Sequence, residues 1–229
     1  MAFYSQTLTE AFASSDILIK GNRRILTEVF SLIDERPPSK YCLSFDGMDD
    51  YVEIGDVFGF EGRVPFSVGF WIFDTGYTGI WERIISKEKT SVPREGWGIV
   101  RSDTLNQYRF SRWQNGGQES ININYTPNQW NFIVFTYDGD NMRAYLNGSL
   151  VDIVASTISI QTIPYPFRIG RVSDDTGYLR GTLDEVRIYN VARSSAWIKA
   201  SYNSGNDSLL SYGSEESGAG IIPAVIIFE

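Results

Sequence analysis

Three tryptophans lie in segments that also carry hydrogen-bonding side chains, and sugar recognition requires this combination. They are Trp81, Trp97 and Trp113, with Tyr108 and Arg112 close to the last of them. The apolar face of a pyranose packs on a flat aromatic ring, and its hydroxyls pair with planar donors and acceptors. These five residues are the candidate carbohydrate site. The alternative is that the tryptophans fill a core or face another subunit.

A second candidate site is a group of aspartates in one short turn. Asp46, Asp49 and Asp50 surround Gly47. Carboxylates from a tight turn, together with backbone carbonyls, hold Ca²⁺ at about 2.3 to 2.6 Å. The sequence thus predicts a structural calcium ion as the one candidate cofactor. The alternative is that these aspartates accept hydrogen bonds from the turn's own backbone.

Catalytic chemistry finds little support in the sequence. Histidine is absent, which excludes Ser-His and Cys-His nucleophile pairs and histidine metal sites. A glycosidase needs two carboxylates that flank the scissile bond. Glu53 and Asp56 do not have this spacing, and the consecutive Asp184 and Glu185 point to opposite faces of a strand. We therefore predict that the protein is not an enzyme.

Short strands must position these candidate sites. The segments 67–73 and 130–137 are apolar on both faces, as in central strands of a sandwich whose outer face is covered by loops or a partner. Asn147-Gly148 is a strong hairpin signal. Turns rich in Gly, Asn, Asp and Ser recur between the strands, which predicts an antiparallel β-sandwich.

The segment 181–203 changes its period in the middle. Its first half alternates as a half-buried strand, with Val186 and Ile188 on one face. Its second half predicts a short helix, capped by Ser194 or Ser195, with Ala196, Trp197 and Ala200 on one face.

Seven motifs occur in an order that resembles laminin-G-like, concanavalin-A-like jelly-roll domains: LSFDGMDDYVEI, SVGFWIF, IISK, NQWNFIVFTYDG, MRAYLNGSLV, FRIG and GTLDEVRIYN. The resemblance covers about residues 41–203. It implies an all-β antiparallel jelly roll with a short C-terminal helix. It also implies that the strand beginning near Asp184 neighbours the aspartate turn, which adds Asp184 to the calcium site. Function on this fold depends on grafted loops.

Both ends of the chain predict strand-forming arms around the domain of residues 41–205. Residues 8–16 (LTEAFASSD) and 26–34 (LTEVFSLID) repeat at an offset of 18 and resemble repeats of phage tail and archaeal surface proteins. Residues 1–40 form the first arm, in which ILIK and RRIL flank Gly21-Asn22 and predict a hairpin of two extended strands. Residues 206–229 form an acidic linker and an apolar strand, IIPAVIIFE. The predicted assembly residues are Leu8, Phe12, Leu26, Phe30, Ile221, Ile222, Val225, Ile226, Ile227 and Phe228.

The bulk properties narrow the choice of partners. The net charge of −8 argues against nucleic acid, and no apolar run reaches the roughly 20 residues that span a bilayer. The N-terminus lacks the features of a secretory signal. We therefore predict a structural and interaction protein of a phage-like virion or surface filament, a homo-oligomer or one subunit of a larger particle, located on the virion or extracellular surface. The alternative is a lectin module that recognises host or cell-surface glycans.

Overall fold

The computed structural model describes residues 42–172 and 176–206, together with the backbone of residues 18–20. The predicted repeat, the Gly21-Asn22 turn and RRIL strand of the predicted hairpin, and the apolar C-terminal segment lie outside the described residues, as do all ten predicted assembly residues. Within the described part, two antiparallel sheets pack face to face and one helix follows the last strand. The prediction of an all-β sandwich with a short C-terminal helix is confirmed.

Seven described strands form the first sheet. In spatial order they are β1 (Leu18–Lys20), β3 (Tyr51–Gly55), β12 (Phe167–Ile169), β5 (Glu82–Lys89), β6 (Glu95–Arg101), β7 (Gln107–Gln114) and β8 (Gly117–Asn124). Six strands form the second sheet: β11 (Ser149–Ala155), β10 (Asn141–Leu146), β9 (Trp130–Tyr137), β4 (Phe66–Phe73), β13 (Arg180–Tyr189) and β2 (Leu43–Asp46). The helix α1 spans Ser195–Gly205.

The core lies between the inner faces of the two sheets. On β4 the side chains of Phe70 and Ile72 enter this core, while Trp71 points to the outer face and belongs to a separate apolar cluster. This arrangement confirms that β4 is apolar on both faces. The predicted hairpin at Asn147-Gly148 joins β10 to β11, and both residues have positive φ (50° and 75°), as a two-residue hairpin turn requires.

Helix α1 covers the outer face of the six-stranded sheet. Ser194 is its N-cap and accepts a hydrogen bond from the Trp197 backbone N–H. Ile198 is fully buried in the outer cluster with Trp71, and the Tyr202 ring stacks on that indole. The predicted face of the helix is not the one that contacts the sheet most closely: Ala196 and Ala200 are exposed and Trp197 is half-buried, because the sheet contacts Ile198 and Tyr202.

Strand β13 contains a bulge that its sequence pattern does not reveal. Asp184 lies opposite Trp71, but the next paired residue is Arg187, opposite Gly69. The backbone of Glu185 has φ 47°, in the left-handed region. The predicted regular alternation is therefore interrupted at this point, although Val186 and Ile188 still pack against the core.

Candidate functional site

Strand β7 presents two different faces because its side chains alternate. Tyr108, Phe110 and Arg112 point toward the core and are fully buried. Ser111 and Trp113 point to the outer face of the seven-stranded sheet, where they lie opposite glycines of β6. Gly98, opposite Ser111, adds no side chain to this outer face, which leaves a shallow floor there.

A cleft of ≈ 180 Å³ lies on that floor. We call it the arginine–tryptophan cleft. Its walls come from the segment before β5, from β5 to β8 and from the β5–β6 turn. The lining residues are Trp81, Arg83, Arg94, Val100, Arg109, Ser111, Trp113 and Gln118.

One wall of the cleft is an ion-paired stack. The Arg94 guanidinium lies over the Trp113 ring, with Cζ 4.0 Å from the ring centroid, and its Nε donates to Glu88 Oε2 over 3.1 Å. Arg83 Nε donates to the other oxygen of Glu88 over 2.9 Å. The Glu88 carboxylate is completely buried by these two arginines. The pairing fixes both guanidiniums over the outer face of the sheet.

The opposite wall is a second stack of a guanidinium on an indole. Arg109 lies over the Trp81 ring, with Cζ 4.6 Å from the ring centroid, and its Nε donates to Asn122 Oδ1 over 3.0 Å. Trp81 and Arg109 are half-buried, so both present surface to solvent. A half-buried indole with a guanidinium over its ring and an amide nearby has the polar and apolar surfaces that sugar binding uses.

Gly98 on β6 has no side chain that would fill the bottom of the cleft. A Cβ at this position would lie 3.3 Å from Glu88 Oε1 and 3.6 Å from Trp113 Cζ3. The same Cβ would lie 3.2 Å from the Ile85 carbonyl oxygen, so any larger side chain would crowd this carbonyl and the buried carboxylate and would occupy space above the floor.

Of the five predicted sugar-site residues, only Trp81 and Trp113 line the cleft. The prediction is wrong for Trp97, Tyr108 and Arg112, which are fully buried in the interior. Trp97 Nε1 donates to the Phe58 carbonyl over 2.9 Å, and the Tyr108 hydroxyl donates to Asp74.

Arg112 is also a structural residue. It donates to Ser156 Oγ over 2.9 Å and to the Gly62 carbonyl over 3.1 Å, and it lies over the Tyr137 ring. Burial, the largest effect, lowers the pKa of Arg112, although Tyr137 acts in the opposite direction. Both terminal nitrogens of Arg112 thus donate hydrogen bonds within the domain.

Sequence reasoning missed the arginines, Ser111 and Gln118 of the cleft. A signal was present in QYRFSRWQ, because period-two alternation puts Arg109, Ser111 and Trp113 on one face and Tyr108 and Arg112 on the other. Grouping residues by closeness in sequence mixed the two faces.

A buried ionic cluster holds the segment that carries Trp81. Arg101 contacts the carboxylates of both Asp74 and Glu82, and all three side chains are inaccessible to solvent or nearly so. Tyr125 donates to Asp74 Oδ1 over 2.9 Å, and Thr78 donates to Glu82 Oε1 over 2.7 Å. Because Asp74 and Glu82 bracket residues 75–81, the cluster fixes both ends of that segment.

The same burial determines how the tyrosines of this cluster titrate. Desolvation, reinforced by the negative charge of Asp74, raises the pKa of Tyr108 and of Tyr125 well above the usual tyrosine value. Both phenols therefore remain protonated donors to Asp74 over the physiological pH range.

The aspartate turn brings together three of the four predicted calcium ligands. Carboxylate oxygens of Asp46, Asp49 and Asp50 lie within 4.8 Å of one another. Two of these carboxylates also accept turn hydrogen bonds, Asp50 from the Asp46 N–H over 3.1 Å and Asp46 from the Met48 N–H over 2.8 Å. The donor set suits calcium in chemical type, and the calcium ion stays a prediction.

Asp184 does not belong to this turn. Arg180 is the β13 residue opposite Asp46, and Asp184 lies four residues further along the strand. At about 3.3 Å per residue this places it more than 10 Å away along β13. The resemblance placed the correct two strands side by side, but the register separates Asp184 from the turn.

The two face-to-face antiparallel sheets define a jelly-roll β-sandwich. The family model for the concanavalin A-like lectin/glucanases superfamily (Laminin_G_3) matches residues 46–215. The chain belongs to this superfamily. No curated protein sequence matches the chain.

Solved structures with a similar fold include three toxin binding domains. The receptor binding domain of botulinum neurotoxin C/D mosaic serotype has a TM-score of 0.63 at 14% identity, over 82% of this chain and 46% of that chain. The binding domain of Paraclostridial Mosquitocidal Protein 1 has a TM-score of 0.56 at 16% identity, over 71% and 45%. The botulinum neurotoxin serotype G binding domain gives 0.56 at 16%, over 69% and 41%. The chain spans less than half of each of these proteins, and the similarity is one of fold.

Proposed function

We propose that this protein recognises a carbohydrate in the arginine–tryptophan cleft. The observation that carries the proposal is the joint placement of Trp81, Arg109 and Gln118 around one outer-face cleft. The half-buried Trp81 indole offers apolar surface, while the Arg109 guanidinium over its ring and the Gln118 amide offer hydrogen bonds to hydroxyls. The similar structures named above are described as binding domains, which agrees with recognition.

A binding role without catalysis is part of the proposal. The carboxylate at the cleft wall, Glu88, is buried and held by Arg83 and Arg94. Asp74 and Glu82 form a close pair of carboxylates, but both are buried against Arg101. None of these three acids presents an oxygen to the cleft as a general acid or nucleophile would.

A glycan array with the full-length protein tests the binding role. We expect selective binding by the wild type and a loss of at least about tenfold in Trp81→Ala, since stacking energy depends on the ring. The matched control is Trp197→Ala, a half-buried tryptophan at the helix on the other sheet. Equal binding by wild type and Trp81→Ala, with both proteins folded, would refute recognition at this cleft.

The second candidate function is assembly into a larger particle, and one observation favours it. Strand β1, from the N-terminal arm, adds to the edge of the seven-stranded sheet by antiparallel pairing of Leu18 with Glu53 and Lys20 with Tyr51. This pairing occurs within one chain, and the same strand added to the sheet edge of a neighbouring subunit would join the two subunits. We propose that the arms anchor the protein in a phage-like virion or surface filament and that the sandwich is displayed outward.

The two functions are compatible in one molecule. The cleft lies on β5 to β8, whereas β1 lies at the other edge of the same sheet. Attachment through β1 would leave the cleft side of the sheet available to a ligand.

A further inference from the structure

We infer that the sugar recognised by the arginine–tryptophan cleft carries a negative charge, as a carboxylate or a sulfate group. This inference rests on the proposed carbohydrate function and names the class of sugar. Three lining residues are arginines, namely Arg83, Arg94 and Arg109. Their ion-pair partner at the cleft is the single carboxylate of Glu88. Three positive charges therefore face one negative charge.

Glu88 forms ion pairs with two of these arginines and none with the third, Arg109. It pairs with Arg83 through one carboxylate oxygen and with Arg94 through the other. No carboxylate among the described residues forms an ion pair with Arg109, whose side-chain acceptor is the neutral amide oxygen of Asn122. Arg109 therefore has guanidinium donors ready for an anion, in the fork geometry that carboxylates and sulfates match.

The position of the guanidiniums over the tryptophan rings also favours an anionic sugar over a neutral one. Guanidiniums cover both rings, Arg94 over Trp113 and Arg109 over Trp81. Only 2% of Trp113 is exposed, so an incoming ligand meets cationic donors before it meets this ring. The buried Trp113 Nε1–H donates to no acceptor among the described residues, and this unpaired donor also suits a ligand rich in acceptor oxygens.

An acidic peptide is the less suitable anionic ligand. A peptide gains affinity on a sheet mainly through backbone hydrogen bonds to an exposed edge. The cleft instead lies across the outer faces of β5, β6, β7 and β8, and of these strands only β8, which contributes the Gln118 side chain to the lining, is at a sheet edge. It therefore offers side-chain contacts and no backbone ladder.

The test compares matched pairs of glycans on the full-length protein by calorimetric titration. One pair is a uronic acid oligosaccharide and its methyl ester, and the other is a sulfated oligosaccharide and its unsulfated parent. We expect the charged member of at least one pair to bind about tenfold or more tightly, and which pair responds identifies the anion. Affinity for that member should fall as NaCl rises from about 0.05 to 0.5 M.

Arg109→Gln should remove the preference for the charged member. Arg187→Gln is the matched control, since this exposed arginine lies on β13 of the other sheet and should keep the preference. Circular dichroism verifies that each variant is folded.

The outcomes separate the inference from the function on which it rests. Equal affinity for charged and neutral members, together with loss of both in Trp81→Ala, would overturn the anionic class and leave sugar binding intact. Binding of a polyglutamate peptide at this cleft without binding of any acidic glycan would overturn the sugar class. Failure of the wild type to bind any glycan would overturn the proposed function and this inference with it.

Discussion

The guanidinium of Arg109 on β7 lies over the indole ring of Trp81, which immediately precedes β5, with 4.6 Å between Cζ and the ring centroid. The segment before β5 thus meets strand β7 above the sheet through one cation–π contact, although β6 lies between β5 and β7. Such a contact contributes about 0.5 to 2 kcal/mol, depending on its exposure. Because the ring follows a segment anchored by the buried Asp74–Arg101–Glu82 cluster, binding at the cleft and stability of the core are linked through Trp81.

The first prediction concerns the buried ionic cluster. Arg101→Met leaves the carboxylates of Asp74 and Glu82 buried without their cation, so we expect a loss of about 3 to 5 kcal/mol in the free energy of unfolding. Urea denaturation measures it. The control is Arg187→Met, which breaks an exposed pair with Glu185 and should cost about 1 kcal/mol or less. Similar losses in the two variants would contradict the role assigned to Arg101.

The second prediction separates core tryptophan from cleft tryptophan. Trp97→Ala removes a completely buried ring, and we expect about 3 to 5 kcal/mol of destabilisation with the affinity of the folded fraction unchanged. Trp81→Ala should show the reverse, with a large loss of affinity and a small loss of stability. Denaturation and glycan titration of both variants provide the test. A large, direct loss of affinity in folded Trp97→Ala would show that this residue had been placed wrongly.

The third prediction concerns acid stability at the β9–β10 turn. Burial alone would raise the pKa of Asp138, but hydrogen bonds from Arg143 and from the backbone N–H groups of Asn141 and Asp140 outweigh it and lower the pKa from 3.8 to about 2. A carboxyl with a depressed folded-state pKa stabilises the fold above its unfolded-state pKa, and this contribution is lost as the pH falls toward about 2.

Asp138→Asn tests this dependence. We expect its melting temperature to lie below that of the wild type at pH values above about 4, and the two melting curves to converge as the pH approaches about 2. If the difference between the two melting temperatures stayed constant over that pH range, the charge of Asp138 would not contribute to the stability of the fold.

The fourth prediction tests calcium at the aspartate turn. If Asp46, Asp49 and Asp50 hold the ion, added CaCl₂ raises the melting temperature of the wild type and EDTA reverses the shift. Asp49→Asn should abolish the response. Asp184→Asn should preserve it, because Asp184 lies away from the turn. An identical melting temperature in CaCl₂ and EDTA would exclude the predicted calcium ion.

The fifth prediction addresses the arms. Light scattering of the full chain should give an oligomer, whereas residues 41–205 alone should give a monomer, because the predicted assembly residues lie outside that range. Deletion of residues 221–229 should lower the number of subunits in the oligomer. If neither truncation changed the number of subunits in the oligomer, the arms would have no role in assembly.

Local patterns in the sequence predicted the strands, but not which face of each strand points inward. The two apolar faces of β4 and the Asn147-Gly148 turn depend on short-range chemistry, so sequence reasoning found them. The hydrogen-bond partners of Trp97 and Arg112 lie at least 39 positions away in the chain, so only the tertiary structure brings them together. The bulge at Glu185 depends likewise on tertiary pairing that no short pattern encodes.

The candidate site was harder to predict because its parts come from four strands and two connecting segments. Trp81 and Trp113 were found by residue type alone. Arg94 and Glu88 gain their roles only when the β5–β6 turn folds over β7, so that a carboxylate and a guanidinium meet above an indole.

Chemical-shift mapping of the indole N–H groups tests carbohydrate recognition at the cleft most directly. The chain has six tryptophans, and substitution of each by phenylalanine assigns its indole signal. On titration with the best glycan from the array, we predict shifts of the Trp81 and Trp113 signals, with those of Trp71 and Trp97 unchanged. Shifts confined to Trp130 and Trp197, on the side of the other sheet, would contradict the account.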